Sequence, residues 1–159
     1  MVDIVVSRTA HLVFAAIWAG SVFYVAFVVL PLARDGEFNT TKPLEVISSK
    51  LTTISRVSAV VLLLTGGHIA GTSYSIGGGT RPDLFTTTNG RLVVFMLVLW
   101  LILAALVEIG AKRFESGLNG KKLREPANDT LPLFRAAAVV AIGLLVVAGL
   151  ITTNVGRLF

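Results

Sequence analysis

The chain has no cysteine, which excludes disulfides, thiolate metal sites and cysteine nucleophiles at the outset. Histidine is nearly absent as well, with His11 and His68 the only two in 159 residues. Charge is the third shortage. Charged residues make up 14% of the chain, where a soluble domain averages about 25%. Hydrophobic residues account for 54%, and so little polar surface cannot cover a water-soluble globule. The composition therefore reads as an all-α integral membrane protein of a single transmembrane domain, residues 1–159. The basic excess of fourteen Lys and Arg over nine Asp and Glu is not a nucleic-acid signal. It sits in loops between hydrophobic stretches, where topology and anionic lipid headgroups account for it. The expected partners are membrane lipids and no nucleic acid.

What is present is four long apolar segments, at about 4–32, 51–73, 91–111 and 131–154, each long enough to cross a hydrocarbon core ~30 Å thick. The first has no basic n-region before it and continues to Leu30, so it is read as a retained helix and not a cleaved signal. It is expected to close at Pro31. Pro43 suits the first turn of the second helix, which is expected to begin as a water-facing extension and enter the membrane near Thr52, with Arg56 snorkelling back to the headgroups. The run of Gly77, Gly78 and Gly79 lacks the strand–loop–helix setting of a phosphate site and reads as a flexible connection. Glu108 precedes Lys112 by four residues, a favourable order on a helix and an interfacial anchor. Pro132 is expected to open the fourth span. Short connections make the spans an antiparallel up-down four-helix bundle.

Orientation follows from the basic residues. The side holding loops 33–50 and 112–130 carries ten Lys and Arg, including Lys121 and Lys122, against four on the other side, Arg8, Arg81, Arg91 and Arg157. The positive-inside rule makes those loops cytoplasmic and both termini external in a multi-pass cell-membrane protein. Small-residue faces on spans 1, 2 and 4, among them Ala136, Ala137, Ala138, Gly143 and Gly149, point to self-association into a homo-oligomer.

Both histidines fall inside spans, where an ionisable side chain is costly and marks a functional site by default. His11 lies 20 residues before Pro31 and His68 lies 16 residues after Thr52. At ~1.5 Å per residue the two imidazoles differ in depth by roughly 6 Å, in the same outer third of the membrane. His11, Ala15, Trp18 and Val22 share one helix face, and Ser58, Thr65 and Thr72 repeat on the side read as that of His68. Two histidines on facing helices can hold a haem iron axially. A flat porphyrin needs a slot, which Gly66, Gly67 and Gly71 with Ala15 and Ala19 can open. Its propionates need cations at the membrane edge, where Arg8 and Arg91 stand. The expectation is a haem b-binding protein with His11 and His68 as iron ligands, the haem near the outer face and close to a protomer contact. It would serve one-electron transfer, haem sensing or storage, a role of electron transport or binding more than of an enzyme. Copper is the alternative cofactor, in a copper-linked transporter. Soft ligands for it are few, since Met1 is terminal and Met96 belongs to span 3. A structural packing protein without cofactor is the third reading.

The stretch His11-Leu-Val-Phe-Ala-Ala-Ile-Trp-Ala-Gly20, with Leu64-Thr-Gly-Gly-His68 after it, resembles the copper-resistance protein D-like family of small four-span membrane proteins, related to b-type membrane cytochromes. The shared features are a first-span histidine followed by Trp-x-Gly, and a second histidine after small residues in the next span. The resemblance implies a four-helix membrane bundle with a metal- or haem-linked role, and it transfers ligand character to His11 and His68 alone.

Overall fold

A computed structural model describes residues 2–77, 79–120 and 123–153. Four helices carry the chain: α1 over Val2–Asp35, α2 over Lys42–Ser73, α3 over Thr88–Asn119 and α4 over Arg124–Thr152. All four are long and apolar enough to cross a membrane, and the described residues contain no strand. Each helix packs mainly on the next in sequence, and α4 returns to α1, so the four stand at the corners of a square. In that arrangement α1 and α3 occupy opposite corners, as do α2 and α4.

Three helix boundaries differ clearly from the sequence reading: α3 runs to Asn119, past the expected end near 111 and into the expected loop 112–130, and the other two differences are at proline. Pro31 does not close α1, which runs on through it to Asp35. A proline inside a helix removes one N–H and crowds the carbonyl four residues back. The chain absorbs this with a π-helical turn over Val25–Val29, in which the Leu30 N–H bonds the Val25 carbonyl. The true stop is Gly36, at φ 89°, a left-handed conformation that favours glycine, with its N–H on the Leu32 carbonyl. Pro132 likewise lies within α4, which starts at Arg124. The expected end of that span at Asn154 falls outside the described residues, as do Lys121, Lys122 and Arg157.

Packing is uneven along the bundle axis. Toward the loops that join α1 to α2 and α3 to α4, side chains interlock: Val22, Leu30, Leu44, Leu103, Leu118 and Phe134 are fully buried. Close approach there depends on glycine. A Cβ on Gly110 would meet the Phe134 ring at 2.9 Å, and one on Gly117 would collide with Pro126. Ala137 and Ala138 are buried in the same layer, so small residues read as a surface for self-association pack within the chain. Arg56, expected to snorkel, is also engaged within the bundle. It forms two hydrogen bonds to Glu108, at 3.2 and 2.6 Å, and Lys112 approaches the same carboxylate at 3.4 Å. This ion pair ties α2 to α3.

Toward the termini the core thins. Beyond Trp18 on α1 and Leu62 on α2, few residues are buried. Among its described residues, the connection from α2 to α3 at this end carries its own hydrogen-bond network. Asp83 organises it: its carboxylate accepts the backbone N–H groups of Phe85 at 2.8 Å, Thr86 at 3.0 Å and Gly77 at 3.1 Å. Those N–H groups hold the Asp83 carboxyl below its ordinary value. Thr87 caps α3 by accepting from the Gly90 N–H at 3.2 Å.

Candidate functional site

The thinly packed end encloses a cavity of about 290 Å³, to which all four helices contribute and over which Leu84 of that connection lies. Its wall is almost wholly hydrocarbon. From α1 come His11, Ala15, Trp18 and Ala19, and from α2 come Leu62, Gly66, Gly67 and Ala70. The floor is Trp18 with Leu103, each 1% exposed. Leu12, Leu63, Leu97 and Leu145 line the cavity and are also exposed on the bundle's outer surface. The site therefore sits at the lipid-facing margin, not sealed in the core.

Two hydrogen bonds lock α1 to α2 beside it. The Trp18 indole Nε1 donates to Ser55 Oγ at 2.8 Å, which satisfies a buried donor that hydrocarbon could not. About two turns farther out on α1 and three on α2, His11 Nδ1 meets Thr65 Oγ1 at 2.8 Å. Thr65 directs its own hydroxyl proton to the Val61 carbonyl at 2.7 Å. Its oxygen is then free only to accept, so His11 Nδ1 carries the hydrogen and Nε2 is left as a bare lone pair. Nε2 has no hydrogen-bond partner among the described residues. An oxygen that accepts from one imidazole nitrogen is the usual device for presenting the other to a metal.

Gly66 makes room for this imidazole. A Cβ at that position would lie 3.1 Å from His11 Cε1, closer than ordinary contact. Gly67 faces open space, with nothing within 4 Å of a Cβ. We expect Gly66→Leu to push the His11 ring off Thr65, and Gly67→Leu to fill the cavity without a clash. Both should lower ligand occupancy with helix content intact. Gly71→Leu should not, since Gly71 lies outside the cavity wall. Comparing occupancy by absorbance with helix content by circular dichroism checks this, and unchanged occupancy in the Gly66 and Gly67 variants would assign those glycines elsewhere.

The structure does not bring the two histidines together. His68 is exposed and takes no part in the cavity wall. The reason is helical geometry: two residues beyond Gly66, α2 has turned by about 200°, so His68 leaves from the far side. Arg8 and Arg91 are both exposed at the cavity end, outside its wall. Arg91 is engaged, donating from Nε to the Phe85 carbonyl at 3.0 Å. The sequence reading passed over two residues the structure puts in the wall, Met96 and Trp100 of α3. Trp100 Nε1 is buried with no hydrogen-bond partner. Their spacing of four residues was the available signal, because it places both on one helix face. No group of three or more His, Asp or Glu exists among the described residues that would hold a metal ion. Comparison with protein-family models, curated proteins and solved structures finds no match to this chain.

Proposed function

We propose that this four-span membrane protein binds haem b in the cavity between its helices, with the His11 imidazole as an iron ligand. The observation that carries the reading is the state of His11. Its Nδ1 is held 2.8 Å from Thr65 Oγ1, its Nε2 has no partner among the described residues, and it lines an apolar chamber. An unpaired basic nitrogen in hydrocarbon is costly, and a metal or a donor from a ligand removes that cost.

The residues present fit the group. The wall is apolar, as a porphyrin face requires, and Gly66, Gly67, Ala15 and Ala19 leave clearance beside His11. The volume is near the lower end of small-molecule pockets, ~300–1,000 Å³. The exposed leucines at its margin let the edge of a larger plate reach toward lipid. Trp100 Nε1 is a buried donor awaiting an acceptor, which a carboxylate-bearing ligand supplies. Arg8 and Arg91 give positive charge at the same end for the propionates. When bound, haem supplies one-electron redox chemistry. The chain's own part is to orient the ligating nitrogen through Thr65 and to exclude water with the Trp18 floor and the Leu84 cover.

With loops 33–50 and 112–130 in the cytoplasm, the cavity lies in the outer half of the membrane. One haem there cannot carry electrons across ~30 Å of hydrocarbon, and the remaining histidine, His68, stands at the same end of the bundle and not near the other face. Electron transfer at the outer face, or haem sensing or storage, follows. Copper is the competing occupant. The absorbance spectrum of detergent-purified protein from haem-supplied cells decides: a Soret band in stoichiometric yield supports the reading, and a colourless or copper-only protein overturns it. Topology has its own check. A cysteine at the exposed position 119, Asn119→Cys, should resist a membrane-impermeant label in intact cells and react after lysis. Labelling from outside would invert the orientation.

A further inference from the structure

Among the described residues, only four side chains of the cavity wall carry a heteroatom: His11, Trp18, Met96 and Trp100. The indole nitrogens of Trp18 and Trp100 are donors without a lone pair to give, and that of Trp18 is already engaged by Ser55. Two atoms are therefore able to bind a metal from within the cavity, His11 Nε2 and the Met96 thioether. Met96 has no hydrogen-bond partner among the described residues that would compete for its sulfur. We propose that Met96 is the second axial ligand of a haem held by His11, an assignment that rests on the haem reading above.

The placement of the two residues supports a shared iron. His11 is on α1 and Met96 on α3, the opposite corners of the square, and both line the same cavity. Their depths agree to about one turn. The Arg56–Glu108 pair registers α2 against α3. Nine residues outward from Arg56 is Thr65, the partner of His11, and nine outward from Glu108 is Leu99, one turn short of Met96. Methionine is unbranched with three rotatable bonds, which lets it cover that offset. His68, by contrast, is on the helix adjoining α1 and on its outward side. A thioether in place of a second imidazole has a defined consequence: it favours ferrous iron and raises the reduction potential.

Haem-loaded protein tests this by spectrum and redox titration. The parent is expected to be six-coordinate and low-spin, with the weak far-red thioether-to-iron band of ferric His–Met haem. Met96→Leu conserves volume, so the fold and His11 ligation should persist. That variant should lose the low-spin spectrum and the far-red band, and its potential should fall. Met96→His should restore the low-spin spectrum at a potential below the parent's. His68→Ala should match the parent. A Met96→Leu protein that keeps the parent's spin state and potential overturns the assignment while leaving haem binding intact, and loss of the low-spin spectrum in His68→Ala would transfer the role to His68. A parent that takes up no haem at all removes the reading and this ligand with it.

Discussion

His11→Ala is expected to emerge from the membrane colourless. The chain has one other histidine, and that residue faces away from the cavity, so no nearby imidazole can take over. His11 is only partly buried, and alanine is the best helix former, so the helices themselves should survive. The expected result is loss of the Soret band with unchanged far-ultraviolet circular dichroism. Thr65→Val should have a graded effect. Removing the oxygen that fixes a metal-binding imidazole typically costs 10–100-fold in affinity, so haem titration should give a right-shifted curve, not an empty protein. Full occupancy in His11→Ala would show that the iron, if present, is held elsewhere.

The second large effect concerns stability. Trp18 is 1% exposed, forms the cavity floor and donates its indole N–H to Ser55. Trp18→Ala should destabilise by roughly 3–5 kcal/mol, through lost packing and the void left behind. Ser55→Ala leaves the same indole N–H buried without an acceptor and should cost about 1–3 kcal/mol. Because both act on one hydrogen bond, their effects should not add in a double-mutant cycle. Equilibrium unfolding in mixed micelles measures all three. Strict additivity would mean that Trp18 acts by volume alone and that the bond to Ser55 contributes nothing.

How far this could be read from residues varies by position. The four spans and their up-down order were legible because 18 or more apolar residues in water have no other stable state. The α1 face was legible too: His11, Ala15 and Trp18 line the cavity, and Val22 is buried below them. The prolines misled because a helix can carry one when neighbouring turns adjust, and that adjustment leaves no mark in composition. His68 misled for a different reason. Depth along a helix follows from counting only to about two turns, and here the offset has the opposite sign. The count placed His11 farther out than His68, yet His11 meets Thr65, three residues inward of His68. Direction around the axis depends on how the neighbours seat, and there Thr65 and Gly66, not His68, face α1. Met96 was set aside as a soft ligand because it belongs to span 3, and spacing along the chain does not tell that α3 shares a cavity with His11.

The π-helical turn at Val25–Val29 fits one residue more into its turn than an α-helix does. It stands between the interlocked inner half of α1 and the outer half that bears His11. The inner half is pinned in rotation by Val29, Leu30 and Ala33, so the extra residue acts as a phase wedge for everything outside it. Without it, the outer half would be rotated by about 100° relative to the core. Ala15 and Trp18 would leave the bundle interior, and His11 would point at lipid with Thr65 out of reach. A single-residue insertion thereby sets the compass bearing of the one imidazole in the cavity.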